Sequence, residues 1–365
     1  MRQLKILDRY IILQFLKTFF FTALLFSLIA VVIDFSERLE AFIKSQVTVQ
    51  EVIFSYYVHF IAFINGMLWP LFALISVIFF TSRLAKNSEI ISILNAGVPY
   101  RRILWPYLGG AAIVFGIHMI SNHYLIPLGS KIRIPFENKN VWHNTDHSKT
   151  RHIHIMLNPQ TKLYIRNFRK NDSTALDMRI ERYDDNVELV SFIEAKRAIW
   201  QGKPDRWKLK DYVIHSFDDM QEELDVNMGK ELDTTVNITP ADLRLVKNQQ
   251  QVFTTPELKQ YLAQQRSRGI GGTRIFETEL YRRTSEPVSI FILTIIGMAV
   301  AGRKTRGGLG IHLAIGISLG ALFIVLSRFT MTFTNSESLG PIVGVWLPNI
   351  IFSLVALYLV RTAQQ

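Results

Sequence analysis

The 365-residue sequence has no cysteine, which removes disulfide frameworks, thiolate nucleophiles and cysteine-based metal sites at once. It has no G-x-x-x-x-G-K-[ST] loop either. The nearest text, "AGRKTRGGLG", carries glycines and Lys304-Thr305 without the spacing that lets backbone amides cradle a phosphate, so nucleotide binding of that kind is excluded. No H-E-x-x-H pattern occurs. His143 and His147, four apart, and His152 and His154, on one face of a candidate strand, therefore lack the carboxylate of a zinc peptidase and are expected to be ordinary polar positions. No metal ligand and no cofactor is assigned.

Acids are scarce relative to bases, 30 against 41, for a formal charge of +11. Aromatics make up 12% of the residues and mean hydropathy is +0.18, values that point away from an average soluble protein. Six apolar runs approach or exceed the roughly 18 residues that mark a membrane-spanning helix. They lie at about residues 11–33, 54–81, 103–128, 287–301, 309–326 and 342–360, the fourth being the shortest. The first is too long for a signal-peptide core and is followed by "VVIDFSERLE" rather than small residues, so it is expected to remain as a span.

Lys and Arg in short loops set the orientation. With the N-terminus inside, Arg2, Lys5, Arg9, Arg83, Lys86, Arg101, Arg102, Arg303, Lys304, Arg306 and Arg361 are cytoplasmic. The other side has only Arg38 and Lys44 in its first short loop, among Asp34, Glu37, Glu40 and Glu51. Both termini are thus expected in the cytoplasm and the insert between the third and fourth spans outside, and nucleic acid is not needed to explain the charge.

Within that insert the period changes to alternation. "HIHIML", "KLYIRNF", "AKRAIW" and "RWKLKDYVI" read as strands, the last two joined by "QGKPD", with Ala198, Trp200, Trp207 and Leu209 at inner positions. The domain is expected to be all-β, a sandwich or roll. In "TTPELKQYLAQQRSRG", Thr255 is the expected N-cap, Pro256 the first helical residue and Gly269 the stop. The chain divides into an N-terminal membrane half (1–128), a β domain (129–254), a connecting helical segment (255–286) and a C-terminal membrane half (287–365).

Candidate intramembrane chemistry is thin: His59, Asn65, His118 and Arg328 are scattered, with no nucleophile and base together. The stretch "SRLAKNSEIISILNAGVPYRR" between the second and third spans is more informative. Asn87 or Ser88 can cap a helix, Glu89 favours its positive end, and Gly97 with Pro99 stops it. Ile90, Ile93 and Leu94 form an apolar stripe too short for a core, which must be covered by the chain's own spans, the bilayer interface or another protein. A chain without a nucleotide site that carries such a helix suits docking on a separate ATPase. The alternative is a membrane-anchored receptor or assembly protein, for which the helix would be incidental.

Several segments together resemble the LptF/LptG permeases of bacterial lipopolysaccharide export: "LDRYI" at residues 7–11, "SEIISILNAGVPYRRIL", "ITPADL" and "EPVSIFILTIIGMAVAGRKTRGGLGIHLAIGISLGALFIVL". The likeness covers nearly the whole chain, and "LDRYI" leans towards the LptG side. It implies a helical membrane bundle of three plus three spans around an inserted periplasmic β-jellyroll-like domain. It also implies a non-catalytic subunit in the inner membrane that works with a second permease, a dimeric LptB-like ATPase and LptC/LptA-like bridge proteins to extract lipopolysaccharide. The coupling helix of such permeases maps onto Ser88, Glu89, Ile90, Ile93, Leu94 and Gly97, with Glu89 as its acid. LptG-like members place several basic residues at the outer end of the first span to hold lipid phosphates. Here "IDFSERLEAFIK" offers only Arg38 and Lys44, so either these two with Arg328 near the outer end of the fifth span meet the phosphates, or the lipid carries fewer of them, or the partner permease supplies the charge.

Overall fold

A computed structural model describes residues 6–142, 151–158, 160–169, 171–186, 188–202, 205–218, 221–240, 248–267, 273–302, 308–336 and 338–363. The chain forms two compact units, one of Met1–His143, Gln250–Pro256 and Arg274–Gln365, the other of Asn144–Gln249 and Glu257–Thr273.

Among the described residues of the first unit, six helices are long and apolar enough to cross a membrane: Ile6–Lys44, Val49–Lys86, Arg101–Asn140, Arg274–Ala301, Gly310–Asn335 and Pro341–Thr362. Each contains one of the expected apolar runs, and several extend well beyond it. The first, with 39 residues, is about 58 Å long at helical rise, so its ends outreach a hydrocarbon core of about 30 Å. The third continues to Asn140 rather than ending near residue 128, and "RIFETELYRRTSEP" is the first half of the fourth helix itself.

Among the described residues three apolar clusters hold the bundle. Ile11, Phe15 and Phe19 of the first helix pack with Phe72, Val77 and Phe80 of the second, Tyr107, Ala111 and Val114 of the third, and Ile290 and Met298 of the fourth. Leu74 and Ile78 of the second helix pack with Leu293 and Ile296 of the fourth, Phe323 of the fifth and Phe352 of the sixth. The smallest cluster is Phe42 with Val52, Tyr56, Tyr57 and Phe60 at the far end of the first helix. The second and fourth helices are shared by the two larger cores and form the centre. Close approach needs small residues there: a Cβ on Gly297 would sit 3.0 Å from Val77 and 3.3 Å from Leu74. Side-chain packing of this kind, rather than water expulsion, drives helix association in lipid.

Pro70 interrupts the second helix, and because proline has no N–H, the carbonyl of Gly66 loses its helical donor. Nε2 of the buried His118 fills that vacancy, donating to the Gly66 oxygen at 2.8 Å. In lipid an unmet carbonyl costs several kcal/mol, which gives His118 a structural task.

The second unit is a six-stranded antiparallel sheet in sequential order: β1 (Arg151–Asn158), β2 (Thr161–Arg169), β3 (Thr174–Tyr183), β4 (Leu189–Gly202), β5 (Arg206–Asp218) and β6 (Gln221–Thr235). The expected hairpin is present, with Ala198 opposite Leu209 and Trp200 opposite Trp207. Ala198, Trp207 and Leu209 are buried, whereas Trp200 is only partly so. One face collects Leu163, Ile165, Phe168, Met178 and Ala195 around Trp207, whose indole N–H donates to the Ile238 carbonyl at 2.9 Å. Register shifts between Arg182 and Tyr183, between Trp200 and Gly202 and between Lys210 and Tyr212 bend the strands, as bulges do. β3 and β6 were not among the expected strands.

The connector helix is Thr255–Ser267. Thr255 is its first helical residue and not its cap; its hydroxyl is engaged by His123 Nδ1 at 2.9 Å and by Arg283 at 3.1 Å. Gly269 lies outside the described residues.

Candidate functional site

The helix expected after the second span is present as Glu89–Asn95. Ser88 precedes it with φ of 61°, and its carbonyl accepts the N–H of Ser92 at 3.0 Å. Gly97 is left-handed, with φ of 81°, and the Val98 N–H reaches back to the Ile93 carbonyl, the bond pattern that closes a helix through a glycine. The apolar stripe is covered from within: Ile90 is 5% exposed in the first core and Ile93 and Val98 pack against it. Of the expected docking residues, Ile90 and Ile93 are therefore anchors. The side chain of Leu94 lies outside what the structure describes. Ser92, Asn95, Ala96 and Gly97 form the exposed side.

Glu89 is not left to solvent. One carboxylate oxygen accepts from the Asn87 amide at 3.2 Å and the other from the Tyr10 hydroxyl at 3.3 Å. Two residues earlier, Asp8 is buried and bonded to Arg102 at 2.6 Å. The "LDRYI" segment thus faces the loop, a pairing that spans 79 and 94 positions and leaves no local trace in the sequence.

At the other end of the first helix, Arg38 reaches Asp34 and Glu137 at 2.8 Å each and lies over the rings of Tyr56 and Trp142. Glu137 also takes Arg133 at 3.0 Å, and Asp34 accepts from the Tyr56 and Tyr57 hydroxyls. Two acids and two arginines close on one another, so the Arg38 charge is already engaged. Lys44 is exposed and pairs with Glu40 at 2.6 Å one turn away.

Arg328 stands apart from these two. It is exposed, touches the Met67 sulfur, and lines a cleft of about 640 Å³, open mouth included, between the second, fourth, fifth and sixth helices. The walls are largely apolar, Phe323 and Ile324 among them, while Arg282, Glu286 and Asn349 supply polar groups. Beneath it, Arg282 bridges Glu286 at 2.6 Å and Glu279 at 3.0 Å. Arg283, 1% exposed, binds Glu279 at 3.0 Å, the Thr255 hydroxyl and the Gln250 carbonyl. These four charges cancel, and Arg328 adds one positive charge to the cleft.

The groups considered for intramembrane chemistry do not converge. His118 serves the Gly66 carbonyl, and Asn65 bonds Ser27 at 2.7 Å and Trp69 at 3.2 Å. His59 lies against Gly129. In the sheet, His152 pairs with the Tyr164 hydroxyl and His154 packs on the same ring. His143, His147 and the basic loop at 303–307 lie outside the described residues, among which no cluster of metal-ligating side chains occurs.

Six described helices long and apolar enough to cross a membrane, in two sets of three separated by a β insert, are the architecture of a multi-pass membrane protein, and four of them line a cleft with a charged floor. The family model for the lipopolysaccharide export system permease LptF/LptG matches residues 9–362, and the chain belongs to that family. It is similar to the lipopolysaccharide export system permease protein LptG of Escherichia coli strain K12, with 20% identity over 294 residues, 80% of each chain. The protein of the same name from E. coli O6:H1 strain CFT073 matches to the same extent. The chain is accordingly a permease subunit of the lipopolysaccharide export ABC transporter and a multi-pass inner-membrane protein. Family membership over nearly the full length removes the anchored-receptor alternative.

Proposed function

We propose that this permease does no chemistry itself and couples a separate cytoplasmic ATPase dimer to lipid extraction, with Glu89–Asn95 as the docking element. The observation that supports this is the construction of the loop: a helix closed through the left-handed Gly97, with Ile90 and Ile93 anchored on the bundle and Ser92, Asn95, Ala96 and Gly97 outward. A loop that only joined two spans would need none of these devices. The docking face is then Ser92, Asn95, Ala96 and Gly97 with Glu89 at its edge. Ile90 and Ile93 hold the helix in place.

The termini and this loop are read as cytoplasmic and the sheet as periplasmic, because the exposed Arg83, Lys86 and Arg101 cluster at the loop and obey the positive-inside bias. A second permease of the same family supplies the other half of the lipid path, and LptC/LptA-like proteins receive the cargo at the sheet. Among the three basic candidates for lipid phosphate, Arg328 has the most suitable setting, an exposed guanidinium on a cleft whose other charges, Arg282 and Glu286, are paired with each other. Lys44 can contribute from solvent. Arg38 would first have to leave two carboxylates.

Affinity purification of the tagged full chain from gently solubilised membranes tests the reading. A small soluble ATPase is expected to co-purify and to be lost with Glu89→Lys, the chain remaining folded. Recovery of a folded chain without any ATPase would refute it.

A further inference from the structure

We infer that Asp8 and Tyr10 are positioning residues that join the loop helix and the first helix into one mechanical body, an inference that rests on the loop helix being the ATPase-docking element. The loop is linked covalently to the second and third helices, so its coupling to those needs no further device. The first helix has no such link. It is also one of the two spans least held by the rest of the chain, with 22% of its apolar window buried against 67% for the fourth, and its outward side is mostly apolar.

What joins it to the loop is a single turn. Residues at i, i+3 and i+4 lie on one helix face, and Leu7, Tyr10 and Ile11 do so, with Asp8 beside them. Ile11 shares a core with Ile90, and Leu7 packs against the same core. Tyr10 donates to Glu89 and Asp8 holds Arg102. A carboxylate–guanidinium bond is directional and charge-assisted, so it resists sliding where apolar contact alone would permit it. Arg102 opens the third helix, and Glu137 near that helix's other end grips Arg38. The first and third helices are therefore pinned to each other at both ends, and at one of them Tyr10 also ties the first helix to Glu89 of the loop helix. Displacement of the loop helix by a docked ATPase would pass into the first helix through this frame.

Because the chain lacks cysteine, Ser92→Cys and Lys17→Cys, both at exposed sites, give a unique pair for spin labels in the full-length protein in lipid nanodiscs. The distance distribution is expected to be narrow in this background. In Asp8→Asn with Tyr10→Phe it is expected to broaden by about a helical turn, 5 Å, and to narrow again in the charge exchange Asp8→Arg with Arg102→Asp. An unchanged width in the double variant overturns the clamp. In the complex, Asp8→Asn with Tyr10→Phe in the otherwise unsubstituted chain is expected to keep the ATPase bound while lipid released per ATP falls. An unaltered ratio overturns transmission through the first helix. If the unmodified chain binds no ATPase, the docking reading fails separately, and the distance measurement still decides the clamp.

Discussion

The first and fourth helices solve the same problem in opposite ways. The first turns Phe21, Leu24, Leu28 and Val32 outward at 65, 68, 61 and 56% exposure and can do so because lipid or another apolar surface is an acceptable neighbour. The fourth is enclosed by the other helices and carries Glu279, Arg282, Arg283 and Glu286 in its first half, each charge bonded to an opposite one. A membrane helix can hold ions when the protein surrounds it and must be apolar where the protein does not. Hydropathy alone reports the second situation and misreads the first.

The largest expected effect comes from breaking the enclosed charges. Arg283→Ala leaves Glu279 and the Gln250 carbonyl short of a donor and is expected to cost about 3–5 kcal/mol, read as the loss of unfolding midpoint in detergent. A change within experimental error would mean that the fourth helix is not sealed. Leu24→Ala on the first helix is expected to move the same midpoint by no more than about 0.5 kcal/mol. If a second permease covers that face, Leu24→Arg should abolish its co-purification, which separates a protein-covered surface from a lipid-covered one.

The smallest effect is in the sheet, where charge is neither enclosed nor lipid-facing. Lys210 and Lys208, at 2.6 and 2.9 Å, hold the Glu231 carboxyl down to about 2 through hydrogen bonds and charge. A carboxyl held lower in the folded state stabilises above its ordinary value near 4.5 and loses that contribution as pH falls towards 2. Circular dichroism of the sheet between pH 5 and 2 should therefore show a slightly earlier acid transition on weakening the pairing with Lys210→Met, and none above pH 5.

The six spans were legible because apolar runs and their length depend on residue type alone, and the β4–β5 hairpin because alternation and the Gly/Pro turn are local signals. The loop helix was legible through Glu89 and Gly97. Its direction was not: periodicity says that Ile90 and Ile93 share a face without saying what covers it. The first half of the fourth helix was read as a helical approach and not as part of the span, because charges lower hydropathy whether or not they are paired; the three- and four-residue spacing of Glu279, Arg282, Arg283 and Glu286 was a readable hint of an ion ladder. Arg38 looked available because Glu137 is 99 positions away. β6, "QEELDVNMGKELDTT", was missed because most of its residues are exposed, so it lacks the clean apolar alternation of a half-buried strand.

The enclosed ions also bear on how the protein is made. A translocon offers each span to lipid as it emerges, and an arginine at the centre of a lone helix carries a penalty of about 2.5–3.5 kcal/mol. The partners that relieve the fourth helix come partly from elsewhere, Asn122 on the third helix and Thr255 and Gln250 on the returning chain. The charged first half of the fourth helix therefore depends on contacts that only the rest of the folded bundle supplies.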